Sequence, residues 1–406
     1  MPTNPTMPTT NPDDRATTYV PTRPITRGPQ YHWFGYYDKL QFSPSGRYVL
    51  SMEVDFEGRS PRPSDRIGLG MIDLEDDDRW IPLAESSAWC WQQGCMLQWL
   101  PGSENQIIYN DRSPDGLCSR ILNVHTGESR KIPIPVYALS PDGSTAVSLD
   151  FFRTGWLRPG YGYAGEDPHR EEPASGEQGV YCVDLNTGDV RQIITLADLA
   201  AIPCANQDNS GRHHWVNHLL ISPDGARFIL LHRWSRPDRG GIEGTRMCTA
   251  NLDGTDLRVL HDGGQFSHFI WQGSDRILAW ADRPEAGPAV YSIDEQTGEA
   301  TVLNPDLLPR DGHLSVLPGD EWILNDSYPR GPEPARRGQP LYLYHIPTDR
   351  RIDLGVFPSP PRYTGEYRCD LHPRLSRDGR RVTIDSPHGG EGRQVYLLDI
   401  GEIIEA

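Results

Sequence analysis

The sequence predicts an all-β fold, a single seven-bladed β-propeller with four antiparallel strands in each blade. A short turn phrase returns along the chain before apolar, β-rich runs. Its clear copies lie at residues 43–46, 140–143, 222–225 and 376–379. Weaker copies lie at residues 101–103, 273–275 and 318–320. A unit that recurs every few tens of residues indicates a repeat architecture, and the seven copies indicate seven units.

Each unit contains four short strands, as residues 217–254 illustrate. The apolar run at 217–221 leads into the turn, where proline presets φ, aspartate bonds back to the backbone and glycine takes positive φ. A second run follows at 227–231, and a third ends at the turn 251–254. A last strand closes each unit, and four strands joined by turns are typical of a propeller blade.

The repeats define one propeller domain at residues 18–406. We place its blades at 31–80, 88–133, 134–196, 212–262, 264–304, 310–355 and 358–400. Residues 18–30 are expected to supply a strand that closes the ring, because propellers protect their sheet edges by closure. Residues 1–17 lack an apolar period and are predicted to be disordered. Blade three carries a long irregular insertion at 153–178, and residues 196–201 are the best candidate for a helix.

Charge and composition exclude several classes of function. The formal net charge of −17 argues against nucleic acid as a partner, because phosphate binding needs concentrated Lys and Arg. It also gives no support for binding to a membrane, and no apolar run reaches about 18 residues. The N-terminus shows no secretory signal, and the seven cysteines form no Cys-x-x-Cys pair, so a cytoplasmic location is expected. A replaced signal peptide would leave a periplasmic location open, and the oligomeric state is also open.

The placement of the histidines predicts a functional cluster. Several of them precede a turn phrase by a few residues, in blades one, four, five, six and seven: His32, His213, His214, His218, His268, His313 and His372. The first strand of each propeller blade lines the central channel, so equivalent positions in different blades converge near the axis. A single histidine at a strand start is usually a hydrogen-bonded structural residue, but recurrence across five blades favours a ring of ligands or bases.

A second set of polar residues ends the second strand of several blades, facing the same mouth of the channel. This set consists of Arg112, Arg153, Arg233, Asp326 and Asp385. Recurring arginine is what a pocket for a carboxylate or sulfate needs, because the guanidinium fork matches a planar anion. A salt bridge to the neighbouring blade is an equally good interpretation of any one of these arginines.

A metal site is a further possibility, although its four candidate histidines lie at no local ligand spacing such as His-x-x-x-His. His268, His313, His372 and His388 are spread over three blades. Asp370 and His372 are two positions apart, so on a strand they point the same way and can reach one ion. Imidazole and carboxylate ligands suit Mn, Zn, Fe or Ni.

Three local segments resemble the oligogalacturonate lyase family, whose members are seven-bladed propellers. Residues 217–219, with 246–247 and 251–254 downstream, resemble the family segment that holds the catalytic base. Residues 267–271 resemble the segment that supplies one metal-binding histidine. Residues 371–378, followed by 385–386 and 396–399, resemble the metal-binding last blade.

The resemblance implies a divalent ion, usually manganese, and β-elimination of a uronic-acid sugar. It implies that His218 is the base and that His268 and His372 bind the metal. The chain departs from the family at Asp370, where the family has histidine, and at Tyr367, where it has glutamine. We therefore expect His313 to be a compensating ligand, and Zn, Ca, Fe and Ni remain open alongside Mn.

These arguments predict a lyase that acts on an acidic oligosaccharide. The expected catalytic residues are His218, its competitor His214, Arg233 and Tyr37, and the expected metal ligands are His268, His313, His372 and Asp370. The expected substrate-binding residues are Arg112, Arg153, His32, Trp33, Tyr36 and His388. Either Tyr36 or Tyr37 would protonate the leaving oxygen or stack on a sugar, whereas core packing is the favoured role of Trp33.

Two other functions compete with this one. A glycoside hydrolase on the same propeller would need two carboxylates across the pocket, for which Asp326 and Asp385 are candidates. A carbohydrate-binding or protein-binding propeller is also compatible with the turn phrase, which resembles the non-catalytic repeats of translocation and scaffold proteins. The histidine ring separates these alternatives, since a scaffold has no use for imidazoles around its channel.

Overall fold

The computed structural model describes residues 17–204, 208–236, 238, 241–329 and 337–405. Its strands form seven antiparallel sheets that follow one another in chain order around a ring, which confirms the predicted propeller. Residues 1–16 of the predicted disordered tail lie outside the described ranges. The described part contains no helix long and apolar enough to cross a membrane.

The strands are numbered in chain order. The first strand of each blade lies nearest the axis, and β1 and β2 join the outer edges of blades six and seven. The two strands nearest the N-terminus are β1 (Thr17–Thr18) and β2 (Thr22–Pro24). Blade one contains β3 (Tyr31–Trp33), β4 (Tyr48–Val54), β5 (Ile67–Asp73) and β6 (Arg79–Ser86). Blade two contains β7 (Gln98–Trp99), β8 (Gln106–Ser113), β9 (Gly116–Asn123) and β10 (Ser129–Ile132). Blade three contains β11 (Ala138–Leu139), β12 (Thr145–Leu149), β13 (Gly179–Asp184) and β14 (Val190–Thr195).

The second half of the ring follows the same order. Blade four contains β15 (His213–Ile221), β16 (Arg227–Ser235), β17 (Gly244–Asn251) and β18 (Arg258–Gly264). Blade five contains β19 (Phe266–Gln272), β20 (Arg276–Arg283), β21 (Gly287–Asp294) and β22 (Ala300–Val302). Blade six contains β23 (Ser315–Val316), β24 (Trp322–Asp326), β25 (Gly338–His345) and β26 (Arg350–Pro358). Blade seven contains β27 (Arg374–Leu375), β28 (Arg381–Ser386) and β29 (Gln394–Asp399).

The turn phrase is a hydrogen-bonded unit that joins the first two strands of a blade. At residues 222–225, the Ser222 hydroxyl donates to Asp224 Oδ1 at 2.5 Å and accepts from the Arg227 N–H at 3.0 Å. Gly225 closes the turn with φ of 73°, a conformation that suits glycine. The same serine–aspartate bond recurs at residues 140–142 and 376–378. Because these contacts need only local residues, the phrase identifies the blades in the sequence.

The N-terminal segment closes the ring, as expected for residues 18–30. β2 pairs antiparallel with β29 and so becomes the outer strand of blade seven, with Thr22 opposite Leu398. β1 pairs with β26 and adds a fifth strand to blade six. Closure therefore ties the beginning of the described chain to its end and covers two sheet edges that would otherwise be open.

Within the described ranges, three short helices accompany the strands: α1 (Phe151–Leu157), α2 (Leu196–Ala201) and α3 (Gly401–Ile404), with a 3₁₀ turn at Gly365–Tyr367. α2 is the predicted helix, and its capping box is made by Thr195 and Asp198. α1 was not predicted, because we read the insertion of blade three as irregular throughout.

The core lies between neighbouring blades, where large side chains interlock. Trp33 packs there, 1% exposed, with ring centroids 5.7 Å from Trp89 and 5.4 Å from Trp91. It is thus a core residue, the role favoured for it, rather than a platform for a sugar ring. All seven cysteines lie in the described ranges, and none of them forms a disulfide.

Arg153 is an internal brace of the insertion rather than a substrate-binding residue. Its side chain is buried on α1 and donates to the backbone carbonyls of His214, His169, Glu172 and Pro173 and to the side chain of Gln178. A guanidinium that has all of these acceptors within the protein is not free to bind a ligand.

Asp150 fixes the base of the same insertion. Its carboxylate accepts the Gly179 N–H at 2.7 Å and the Tyr181 hydroxyl at 3.2 Å, so it joins the two ends of the inserted segment. The surrounding pocket is lined by apolar side chains that include Leu149, Phe151 and Phe152. Burial raises the pKa of Asp150 to about 7, although both hydrogen bonds to the carboxylate oppose the shift.

This pKa predicts a pH-dependent stability that Asp150→Asn removes. The folded protein keeps the Asp150 proton up to about pH 7, whereas the unfolded chain loses it near pH 4. The folded state therefore binds more protons in this window, and this group lowers the stability as pH rises through it. When the pH is raised from 5 to 8, ionisation of Asp150 should lower the unfolding free energy of the wild type by about 2–3 kcal/mol. The Asp150→Asn variant should not show this decrease. Urea unfolding at both pH values measures the difference, and substitution of the exposed Asp189 by Asn is the control. A wild-type pH dependence in Asp150→Asn would contradict the assignment.

Candidate metal and catalytic site

Two of the predicted histidines lie in irregular positions of the innermost strands. The pairing of β15 with β16 shifts register between Asn217 and Leu220, and His218 lies in this gap with φ of 57°. The pairing of β19 with β20 shifts in the same way between Phe266 and Phe269, around His268. Bulges redirect a side chain from the regular alternation of a strand, and they are common beside functional sites.

Two more histidines enter the same space from loops. His313 precedes β23, and His372 precedes β27 with φ of 41°. The ring centroid of His313 lies 4.1 Å from that of His268 and 4.2 Å from that of His372. Blades five, six and seven therefore bring three imidazoles into contact at the axis, and all three are buried.

The metal-binding candidates in this cluster are His313, Asp370 and His372. One ligand atom from each lies within 4.8 Å of the other two, and all three residues are buried. The Nε2 atoms of His313 and His372 have no hydrogen-bond partner among the described residues. Buried polar atoms are normally satisfied, so two unpartnered imidazole nitrogens beside a carboxylate fit a divalent cation.

Acidic and basic neighbours orient these three residues. Asp326 accepts hydrogen bonds from His313 Nδ1, at 2.9 and 3.0 Å, and this leaves the Nε2 lone pair of His313 directed away from the carboxylate. Burial lowers the pKa of His313, but the charge and hydrogen bond of Asp326 outweigh burial, so the pKa is raised overall. Asp370 in turn accepts from Arg368 Nε at 2.6 Å.

His268 adjoins the three-residue group without belonging to it. Its Nδ1 lies 2.8 Å from Asp311 Oδ1, and its Nε2 lies 3.4 Å from the Tyr328 hydroxyl. Burial lowers the pKa of His268. His268 therefore lies next to the three metal-binding candidates but outside the group whose ligand atoms are all within 4.8 Å of one another.

His218 lies beside the cluster in a cage of hydroxyl and amide groups. The Tyr137 hydroxyl is 3.1 Å from its Nδ1, and the Tyr36 hydroxyl is 3.3 Å from its Nε2. The Tyr36 ring stacks on the His218 imidazole, with centroids 5.0 Å apart, and lies 5.2 Å from the ring of His372. Burial and then the charge of Arg233 lower the pKa of His218 well below its usual value, so the imidazole is neutral at pH 7.

The insertion of blade three covers this part of the site. Tyr161 is 2% exposed, and its ring meets the His218 ring edge-on at 5.3 Å. The Gln92 N–H donates to the Gly160 carbonyl at 3.1 Å, which ties the insertion to blade two. The inserted residues thus form one wall of the site.

The lining of a small cavity of about 220 Å³ beside the cluster includes two arginines, Arg158 and Arg233, and two acidic residues, Glu243 and Asp311. The Nε atom of each arginine is buried and has no partner among the described residues. Burial and then the positive charge of Arg158 lower the pKa of Arg233 to about 10. Two guanidiniums that face one cavity fit an anionic ligand such as a carboxylate, which would relieve their mutual repulsion.

Other expected site residues have partners elsewhere. Tyr37 adjoins the cluster, but its hydroxyl donates to the Phe269 carbonyl at 2.6 Å and accepts the Phe269 N–H at 3.1 Å. His214, the competitor for the role of base, lies with its Nδ1 2.8 Å from His232 Nε2, and burial lowers its pKa to about 4. The Tyr37 hydroxyl is therefore bound to the backbone, and His214 pairs with His232 rather than with a residue of the cluster.

Three peripheral candidates also pack within the protein. His32 packs edge-on against Trp80, with ring centroids 5.2 Å apart. His388 stacks on Tyr396 at 4.0 Å. Arg112 donates to the backbone carbonyls of Ser87 and Ala164, so its guanidinium braces loops of blades two and three. We leave all three out of the site proposed below.

Sequence reasoning missed several residues at the site: Gln93, Tyr137, Arg158, Tyr161, Asp311 and Arg368. Asp311 and Arg368 each lie close in sequence to an expected ligand, two positions from His313 and from Asp370. That proximity was an available signal. Arg158 and Tyr161 lie in the irregular insertion, where no periodic pattern indicates the direction of a side chain.

Comparisons with known proteins place the fold. No protein-family profile matches the chain, and no curated protein sequence matches it. Among solved structures, oligogalacturonate lyase from Vibrio parahaemolyticus is similar over 98% of this chain and 97% of its own, with a TM-score of 0.66 and 15% sequence identity. An oligogalacturonate lyase in complex with manganese is similar over 99% and 98%, with a TM-score of 0.68 and 16% identity. The tricorn protease matches 93% of this chain but 35% of its own, with a TM-score of 0.51 and 13% identity. At these identities the similarity shows the fold, which is the fold that the resemblance predicted.

The geometry predicts a cation site that can be tested without knowledge of the substrate. His372→Ala removes one unpartnered nitrogen, and Asp370→Asn removes the charge. We expect each change to weaken Mn²⁺ binding at least tenfold, as measured by the electron paramagnetic resonance of free Mn²⁺ during titration.

His388→Ala is the matched control for the metal titration, because His388 is a buried histidine of the same blade that is stacked on Tyr396. It should bind Mn²⁺ as the wild type does. Equal affinity in all four proteins would contradict the site.

Proposed function

We propose that the protein is a metal-dependent lyase that cleaves a uronic-acid-containing glycan by β-elimination. The observation that carries the proposal is the juxtaposition of three features at one end of the channel. These are the neutral imidazole of His218, the group of His313, Asp370 and His372, and the cavity lined by two arginines.

The reaction removes the proton at C5 of a uronate and expels the oxygen at C4, and a double bond forms between C4 and C5. The C5 proton is weakly acidic because the neighbouring carboxylate is already negative. A bound divalent ion, held by His313, Asp370 and His372, would neutralise that carboxylate and the enolate-like charge that develops on it.

His218 is the base in this proposal. Its neutral imidazole can accept the C5 proton, and the hydroxyls of Tyr36 and Tyr137 fix the orientation of its ring. Burial raises the pKa of Tyr36 well above its usual value, so Tyr36 stays protonated at neutral pH and can donate to the leaving oxygen. This role falls to Tyr36 rather than Tyr37 because the Tyr37 hydroxyl is bound to the backbone of Phe269.

Arg158 and Arg233 hold a substrate carboxylate in the proposal, with Arg158 in the role first expected of Arg112. Their cavity adjoins His218, since Arg158 lies over the Tyr161 ring at 5.0 Å and that ring contacts the His218 imidazole. Asp311 also lines the cavity. It accepts from His268, and Glu243 in the same lining accepts from Arg212 and Arg236, so both acidic residues are engaged within the protein.

A glycoside hydrolase is the weaker alternative on this geometry. Asp326 is bound to His313, and Asp385 accepts from Arg374 and from the backbone N–H groups of Phe34 and Gly35. Both carboxylates are therefore engaged within the protein, whereas a hydrolase needs one free acid and one free base or nucleophile. The manganese complex of a structurally similar oligogalacturonate lyase adds support for the lyase.

The assignment of the base predicts opposite results for two histidines on the same strand. His218→Ala should reduce kcat for β-elimination by 10²-fold or more, because general-base catalysis typically contributes about 10²–10⁴-fold. His214→Ala should keep kcat within about threefold of the wild type, since His214 pairs with His232. The assay follows the absorbance of the unsaturated product with a panel of uronate oligosaccharides. Full activity in His218→Ala would contradict the assignment.

The two arginines predict a requirement for a free carboxylate on the substrate. Arg158→Ala and Arg233→Ala should each raise KM for the acidic substrate at least tenfold, because charge-assisted hydrogen bonds contribute about 1.5–3 kcal/mol. Both variants should lose less when the substrate is methyl-esterified, because the ester carries no charge for them to bind. Substitution of the exposed Arg350 by Ala is the control. An equal loss on both substrates would indicate a purely structural role.

A further inference from the structure

A second cavity, of about 660 Å³, opens between blades seven and one, and the proposed reaction does not use it. We call it the outer pocket. The side chains that line it include Tyr31, Glu57, Arg362, Tyr363, Tyr367 and Glu391. Its volume lies in the range typical of small-ligand sites.

The outer pocket opens on the same face of the ring as the imidazole cluster. Its walls come from the connection between β4 and β5, the connection between β28 and β29, and the segment before β27. In each blade the second strand ends beside the start of the first strand, and the histidines lie at those starts. A ligand can therefore reach both places without crossing the disc.

One braced segment joins the outer pocket to the metal-binding candidates. Tyr367 lines the pocket, and Asp370 follows it by three positions. Between them, Arg368 donates to Asp370, and the Gln92 amide donates to the carbonyls of Glu366 and Arg368 at 2.9 and 3.0 Å. The outer pocket and the metal-binding candidates therefore share one braced segment of the chain.

The lining of the outer pocket suits a sugar ring. Tyr31, Tyr363 and Tyr367 supply aromatic surface, on which the apolar C–H face of a sugar can pack. The Tyr363 hydroxyl donates to Glu57 at 2.9 Å, which fixes that ring. Gly392 has φ of 78° and packs against the Tyr31 ring, where a Cβ would approach to 2.3 Å, so no side chain fills this side of the pocket.

The charges of the outer pocket select against an acidic sugar. Glu57 and Glu391 both line it, and Arg362 is the cation in its lining. Glu57 is ion-paired with Arg393 and accepts from Tyr363, so its charge is largely compensated, and Glu391 is the negative charge that a ligand in the pocket would meet. A uronate here would bring a second carboxylate to Glu391, whereas the hydroxyls of a neutral sugar can donate to it.

We infer that the outer pocket binds a neutral sugar of the same oligosaccharide, so that the substrate is a mixed glycan containing both uronate and neutral residues. The place of this pocket in the reaction depends on the proposed function, but its capacity to bind a neutral sugar does not. The arginines of the small cavity and the tyrosines of the outer pocket would then bind different residues of one oligosaccharide.

The test is a titration of the full-length protein with the neutral probe galactotetraose, in which calorimetry measures the binding. Tyr367→Ala should weaken binding at least tenfold. Glu391→Trp fills the pocket from an exposed position and should also weaken binding at least tenfold. This second variant tests the pocket even if Tyr367→Ala does not fold. Tyr19→Ala, at an exposed tyrosine, is the matched control and should bind as the wild type does. Absence of binding, or equal binding by all variants, overturns the inference.

Competition by single sugars tests the preference for a neutral ligand. Galactose should displace the probe at least tenfold better than galacturonate, and equal displacement overturns the charge argument. Neither titration requires turnover, so the two proposals fail separately. A protein without lyase activity that binds the probe through Tyr367 refutes the lyase alone, and an active lyase that does not bind the probe refutes the outer pocket alone.

Discussion

The burial of imidazole nitrogens at the axis of the ring is the constraint on which the site depends. His313 and His372 each bury an Nε2 atom that has no protein partner among the described residues. Such an arrangement costs free energy unless a ligand completes it. The fold sustains the cost because Asp326 anchors the opposite nitrogen of His313, and because closure by β2 and β29 fixes blades six and seven around the axis. The unpartnered atoms therefore point to a cation as the missing partner.

Two separate sites with polar and charged residues lie on one face of the disc. The axis holds the metal-binding candidates and His218, and the insertion of blade three adds a wall that carries Tyr161 and Arg158. Outside this centre, the pocket between blades seven and one is lined by three tyrosines, two glutamates and one arginine. A protein with a net charge of −17 needs local arginine to attract an acidic ligand, so binding of the proposed uronate would depend on Arg158 of the insertion more than on the overall field.

The blades could be predicted from the sequence because their turns are local: the serine, aspartate and glycine of each phrase contact one another. The meeting of His268, His313 and His372 could be predicted because radial symmetry alone brings equivalent strand starts together. The direction in which each side chain points could not be predicted from the sequence. Arg153 and Arg158 are five residues apart, yet the first braces the insertion and the second faces the cavity, because the short helix α1 turns between them. The bulge at His218 is equally invisible, since a non-glycine residue at positive φ leaves no mark in the sequence.

The central claim is that His313, Asp370 and His372 bind one divalent ion beside a neutral His218. Diffraction data from crystals grown with Mn²⁺, collected on both sides of the manganese absorption edge, test it most directly. The account predicts one anomalous peak within bonding distance of His313 Nε2, His372 Nε2 and an oxygen of Asp370, and loss of that peak in Asp370→Asn. A peak elsewhere on the protein, or no peak at saturating Mn²⁺, would contradict it.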